Sequence, residues 1–299
     1  MEFGKVTEQE LEHMDCSLPP DPEMNQAILA KGKGKTRFYI GCAKWGRKDW
    51  VGTIYRPDVG EQDMLRHYAR IFNTIEFSGF YYNLHSREQV LQWKKAVPPG
   101  FLFCPKLTQY ITHVRRLRNV QAQLSEFLDL VSVFGKNLGP LFLMPHPQLL
   151  PQDRETLETF IDAIPPAIDL FLELRHEAWY TSGSYDQKLL QFLKQKKRGT
   201  VITDAAARRE ALHMQLSKPE CYIRFIGNAL HATDYHRIDH WVTRIKQWMN
   251  AGLEKCYFFV HQKDERHAPR LIQYLTEQLN NVCGAGLPLL SLQTQVAHS

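Results

Sequence analysis

Charged side chains in this sequence stand where short apolar runs end. Glu173-Leu174-Arg175-His176 closes the run 170–174, Lys106 closes 101–106, and Asp204 follows 200–203. Glu76 lies inside 73–77, Arg224 inside 221–225, and His261-Gln262 follow 256–260. Guanidinium and ammonium groups of this kind can hold a phosphate or carboxylate, while carboxylates and imidazoles can move protons. The reading is therefore that Lys106, Arg175 and Arg224 bind an anionic group. Glu76, Glu173, Asp204 and His176 would then carry acid/base or hydrolytic chemistry. A structural reading stands beside it: charges joined to apolar strands are costly unless paired. Glu173 and Arg175, two apart in an extended strand, face one side and could neutralise each other.

Further groups extend the candidate site. Trp45, Trp50, Tyr55, Tyr81, Tyr82 and Trp179 lie near the same run ends, where they either stack on a sugar or base or pack beneath loops. Of these, Trp45, Tyr82 and Trp179 join His261 as expected ligand contacts. Glu173, Asp204, His176 and His261 offer metal donors, but their spacing specifies no metal site, and no cofactor is implied. The nucleophile elbow G-x-S-x-G and the zinc motif H-E-x-x-H are both absent, which removes those hydrolase classes.

Something must gather residues so far apart in the chain. The runs 38–40, 73–77, 101–106, 141–144, 170–174, 200–203, 221–225 and 256–260 read as eight strands buried on both faces. Between them lie helical stripes, among them Leu124, Phe127, Leu128 and Val131, and Ile238, Trp241, Val242, Ile245, Trp248 and Met249. Strands alternating with helices make a parallel sheet, and eight units of this size suit a (β/α)8 TIM-like barrel. The rival is an open doubly wound sheet. Its dinucleotide-binding form would carry a glycine-rich turn after the first strand, where this chain has Ala43-Lys44-Trp45-Gly46-Arg47. The expected organisation is a flexible extension over 1–35, a barrel over 36–281 and a tail over 282–299.

Composition limits the remaining choices. The longest apolar runs are far shorter than the roughly 20 residues of a membrane span, and the start lacks a signal-peptide core, so the expected place is the cytoplasm. Six cysteines without Cys-x-x-Cys spacing read as small buried hydrophobes. The charge of +5 suits an anionic partner without requiring one. Lys194-Gln195-Lys196-Lys197-Arg198 reads as a solvated helix end. Arg115-Arg116-Leu117-Arg118 supports a second reading, a nucleic-acid binding or processing protein. A third is a non-catalytic interaction module.

Several blocks together resemble the domain-of-unknown-function 72 family, also called YecE-like. They are Ile40-Gly41 with Trp45 and Trp50, Asn73 to Glu76, Pro105-Lys106 with Ile111-Thr112-His113, and Glu173 to His176 with Trp179. Thr203-Asp204, Tyr222 to Phe225 with Gly227-Asn228, and Phe258 to Gln262 complete the set. The resemblance spans about residues 38–280 and implies a TIM-like barrel but no reaction. The chain departs from the family pattern at Ser78, Ala178 and Ile226, where asparagine, serine and histidine are expected. A catalytic pocket of this family would be blunted at those three positions.

Overall fold

The computed structural model describes residues 6–181 and 184–290. Residues 1–5 of the expected extension and 291–299 of the expected tail lie outside the described residues. Among the described residues ten strands are formed: β1 Arg37–Gly41, β2 Thr74–Phe77, β3 Leu102–Pro105, β4 Leu141–Leu143, β5 Leu170–Leu172, β6 Tyr180–Thr181, β7 Ser184–Tyr185, β8 Gly199–Asp204, β9 Glu220–Gly227 and β10 Lys255–Gln262. The α-helices are α1 Glu8–Glu12, α2 Met24–Leu29, α3 Met64–Ile71, α4 Gly79–Tyr82, α5 Arg87–Ala96, α6 Gln121–Ser132, α7 Arg154–Asp162, α8 Gln187–Gln195, α9 Ala232–Ala251 and α10 Ala268–Gln278.

All eight expected strands are present, but they do not form the single continuous ladder that a barrel leads one to expect. Six make a curled parallel sheet in the order β1-β10-β9-β8-β5-β4, β2 and β3 make a separate parallel pair, and β6 and β7 make a small antiparallel pair. Side chains interrupt the ladder between β1 and β2. Asn73 accepts from the Ile40 N–H at 2.9 Å and donates to the Phe38 carbonyl at 2.7 Å. The Tyr68 hydroxyl accepts from the Cys42 N–H and donates to the Thr74 carbonyl. One backbone bond still crosses, from the Glu76 N–H to the Cys42 carbonyl at 3.1 Å. The chains approach so closely that a Cβ on Gly41 would lie 2.1 Å from the Thr74 oxygen. On the other side, β3 meets the chain around β4 through isolated bridges at Phe103 with Leu138 and Lys106 with Phe142.

The two faces of the curled sheet bury different sets. Cys104, Phe142, Phe171, Val201, Tyr222, Tyr257 and Phe259 pack together on the inner face. The outer face packs against the helices in a larger core that includes Phe225, Trp241, Ile245, Trp248 and Phe258. Burial of each such side chain contributes about 1.5–3 kcal/mol. The helix α9 shows how sequence sets an element. His231 accepts the Thr233 N–H at its start, a stripe at Ile238, Trp241, Val242, Ile245 and Trp248 is buried, and Gly252 ends it at φ 114°. The other helices supply similar stripes, as at Leu157, Phe160 and Ile161 of α7.

Two expectations meet a different outcome. The segment read as a flexible extension carries α1 and α2 and is anchored to the rest of the fold. Asn25 donates to the Met214 carbonyl and accepts from the Leu216 N–H, Ile28 and Leu29 are buried, and Asp21 binds both Arg244 and the Trp248 indole. The helix end near Lys194 is not wholly solvated either. Arg198 is buried and donates to the carbonyls of Ile164, Pro165 and Ile168 beyond α7, where a cation meets the negative end of the helix dipole. The cysteines at 42, 104, 221 and 256 are buried thiols, as read. No helix of the described residues is long and apolar enough to cross a membrane.

Candidate functional site

Side chains alternate along a strand, so the strand register decides which charges meet. In β9, Tyr222 belongs to the inner face, so Arg224 and Ile226 face inward too. Thr203 is paired with Arg224, which turns Thr203 inward and Asp204 outward beside Phe225. The same alternation carries Glu173 inward beyond Phe171, Lys106 inward beyond Cys104, and His261 inward beyond Phe259. One inward layer at the carboxyl ends of the strands therefore holds Glu76, Lys106, Glu173, Thr203, Arg224 and His261.

Arg224 is the hub. Its Nε and Nη2 donate to Glu76 Oε2 and Oε1 at 2.8 and 3.1 Å, and its Nη1 donates to Glu173 Oε2 at 2.8 Å. Arg175 donates from Nε to the other Glu173 oxygen at 3.0 Å. The Tyr222 hydroxyl donates to Glu76 Oε2 at 3.2 Å, and His261 Nε2 lies 3.3 Å from Glu76 Oε1. Both carboxylates are 1% exposed. Burial opposes their ionisation, but the Arg224 charge overcomes it, helped at Glu76 by His261 and at Glu173 by Arg175. Glu76 is held well below the usual carboxylate range. Beyond His261, Glu265 is pushed up by burial.

Lys106 differs from these. Its Nζ sits 4.0 Å from the centre of the Tyr81 ring and 5.7 Å from that of Phe142, with no hydrogen bond or ion pair to any described residue. Burial and the neighbouring Arg224 charge lower its pKa to about 8. Tyr81 leads onward to His113, whose ring centre is 5.7 Å away and whose pKa falls to about 4 through burial and the Lys106 charge. His113 in turn meets His146 edge-on at 5.5 Å. Thr203 Oγ1, on the inward face, is buried with no hydrogen-bond partner among the described residues.

The remaining expected residues are elsewhere. Asp204 is wholly buried on the outer face, where it accepts from Arg237, Arg209 and the Trp241 indole. That satisfied cluster lies across the sheet from Glu76 and Arg224, so Asp204 does not join the charges it was expected to meet. His176 accepts the Ala178 N–H and caps the short turn 177–179, with no bond to the Arg224 cluster. Trp179 is fully buried and donates to the Leu149 carbonyl, which leaves no surface for a ligand. Trp45 stacks on Phe77 at 5.2 Å and meets Trp93 edge-on, so it packs the outer layer. Trp50 and Tyr55 are buried as well. Tyr82 is 74% exposed and touches Tyr81 edge-on. Of the departures from the family pattern, Ile226 puts an apolar side chain in the inward row, and Ser78 stands before α4 without a capping bond.

Tyr222, His113 and His146 were not given roles by the sequence, and Tyr81 was read only as a ring that stacks on a ligand or packs beneath a loop. Tyr222 could have been found from its spacing of two from Arg224, but the histidines are joined only through the folded loops. No group of three or more His, Cys, Asp or Glu among the described residues is arranged to hold a metal ion.

Comparison with known proteins agrees with this architecture. Residues 39–290 match the family described as "Protein of unknown function DUF72". The chain is 29% identical over 260 residues to UPF0759 protein YecE of Escherichia coli K12, covering 81% of this chain and 92% of that protein. A DUF72 family protein from Enterococcus faecalis V583 superposes with a TM-score of 0.67 at 17% identity, over 81% of this chain and 95% of that one. One from Thermotoga maritima MSB8 gives 0.63 at 18% identity, over 82% and 99%. These two likenesses carry the fold alone.

Proposed function

The chain belongs to the DUF72 family, and we propose that its inward layer of charges binds a small anionic molecule and uses Lys106 for proton transfer. The observation that carries this is Lys106 itself: an enclosed ammonium without a counter-ion among the described residues, beside two arginines whose charges are already matched by Glu76 and Glu173. The Lys106 ammonium therefore offers a positive charge for an anion to neutralise. We also read the six-stranded sheet and the β2-β3 pair as one closed eight-stranded barrel. The Glu76 to Cys42 bond and the bridge between Lys106 and Phe142 support it. In such a barrel the site would occupy the customary position at the strand ends.

The electrostatics favour one kind of chemistry. A general acid must hold a proton near neutral pH, and the arginines keep Glu76 and Glu173 ionised. That argues against hydrolysis by a carboxylic acid and carboxylate pair. A lysine near 8 has both forms populated close to neutrality and can accept a proton from a bound substrate. The carboxylates then serve as positioning groups that hold Arg224 and Arg175 toward the ligand.

The test is calorimetric titration of small carboxylates and phosphomonoesters into the wild type, Lys106→Met and Arg175→Ala, with circular dichroism as the folding control. Each substitution should weaken the best ligand by about tenfold or more. Unchanged affinity in both variants would remove the reading.

A further inference from the structure

The loop that leaves β3 builds a second concavity beside this site. Arg115, Arg116, Arg118, His146, Gln148 and Asp153 line a cavity of about 200 Å³. Three arginines within four residues repel one another, and the backbone holds them in an uncommon shape. Arg116 and Leu117 have φ of 49° and 67°, a left-handed conformation that is strained for residues with a Cβ. Burial of Leu117 and its N–H bond to the Ile111 carbonyl at 2.9 Å fix that turn. The three arginines, though solvent-exposed, thereby line one hollow.

Their charge is not matched from within. Arg118 is paired with Asp153 at 2.8 Å, and Arg116 donates only to the neutral amide of Gln148 at 3.2 Å. The Arg115 side chain has no hydrogen bond or ion pair to a described residue. Three positive charges face one negative charge, which leaves a surplus of two. His146 Nδ1 accepts the Gln148 N–H at 3.1 Å, and burial together with the Arg116 charge lowers its pKa. The neutral ring therefore carries its proton on Nε2, as a donor.

We propose that this cavity is a phosphoryl-binding site and that the protein's ligand is a phosphomonoester. A phosphate dianion matches the surplus charge, and paired guanidinium groups with a neutral imidazole donor suit its oxygens. A cavity this size is smaller than pockets that enclose whole drug-sized ligands, so it takes the phosphoryl group and leaves the rest of the molecule outside. The row of rings from His146 through His113 to Tyr81 leads from the cavity to Lys106. The unphosphorylated end of the ligand would lie along it. This second part rests on the reading of Lys106 given above, whereas the phosphoryl site stands by itself.

The experiment titrates inorganic phosphate into the wild type, Arg115→Gln/Arg116→Gln, Arg115→Lys/Arg116→Lys and Lys106→Met, following calorimetric heat and the NMR signals of the His146 ring. Both arginines are exposed, so their substitution leaves the fold intact. The double glutamine variant should weaken phosphate about tenfold or more and abolish the His146 shift. The double lysine variant should keep most of the affinity, and in Lys106→Met the His146 shift should persist even though the inward layer no longer takes up the anion. Phosphate binding unaltered by the double glutamine substitution, or no phosphate binding by the wild type, would overturn the site. Phosphate lost only in Lys106→Met would locate the anion at the inward layer instead, leaving the first reading standing without this one.

Discussion

Arg224 and Glu76, 148 residues apart in the chain, meet in a two-pronged ion pair with N to O distances of 2.8 and 3.1 Å. The same guanidinium also holds Glu173, so one cation satisfies two carboxylates that burial would otherwise expel or neutralise.

Replacing Arg224 with Met should therefore destabilise the protein by about 3–5 kcal/mol, because two buried carboxylates lose their shared partner. Arg224→Lys should recover little of this, since a compact ammonium lacks the planar, spread donors that grip Glu76 at two oxygens and reach Glu173 as well. Urea unfolding of both variants measures the loss, and a lysine variant as stable as the wild type would contradict the geometry.

Lys106 has the opposite energetic sign. The fold lowers its pKa from 10.5 to about 8, so below pH 8 the folded protein bears a charged group it holds poorly. Between about 8 and 10.5 the unfolded chain binds more protons, and this group's penalty fades as pH rises. Lys106→Met should raise the melting temperature at pH 7, and the gain should shrink through that window. Calorimetric scans at pH 7 and 10 make the comparison. The same variant is expected to lose ligand, a stability gained at a functional position.

Acid should weaken the fold through buried imidazoles. His213, 2% exposed, accepts the Gln215 N–H, lies 3.0 Å from the Val201 carbonyl and titrates at about 4 instead of 6.5, because burial disfavours its charged form. Its contribution is intact above pH 6.5 and is lost as pH falls toward 4, by ~3 kcal/mol at the acid end. His113 acts in the same direction. Unfolding free energies measured from pH 7 to 4 should fall in the wild type and fall less steeply in His213→Gln.

Asp204 separates structure from chemistry. It is bound to Arg237, Arg209 and Trp241 on the outer face, so Asp204→Asn should cost about 3 kcal/mol of stability by leaving buried cations undercompensated. Ligand affinity of the folded variant should remain within about twofold of the wild type. Urea unfolding and titration calorimetry on the same preparation distinguish this from a catalytic role, which would collapse turnover or binding without requiring a large stability loss.

Much of the architecture is written in local pattern. Apolar runs at 141–144 or 256–260 form strands because their side chains suit burial on two faces, and the stripe from Ile238 to Trp248 forms a helix because it fits the helical repeat. The charges at the run ends were legible for the same reason, since a strand ends where polar residues begin. Which of them share an inner face was not. Asp204 and Glu173 look equivalent in sequence, yet the register pairs Thr203 with Arg224 and sends Asp204 to the helices. The anchoring of residues 6–35 was equally hidden, because Asn25 finds its partners at Met214 and Leu216 only after the chain has folded. Periodicity determined the elements of this protein, because it acts between neighbours in the chain. The pairing of Arg224 with Glu76 and the gathering of Arg115, Arg116 and His146 were decided by tertiary structure, because burial and charge act between neighbours in space.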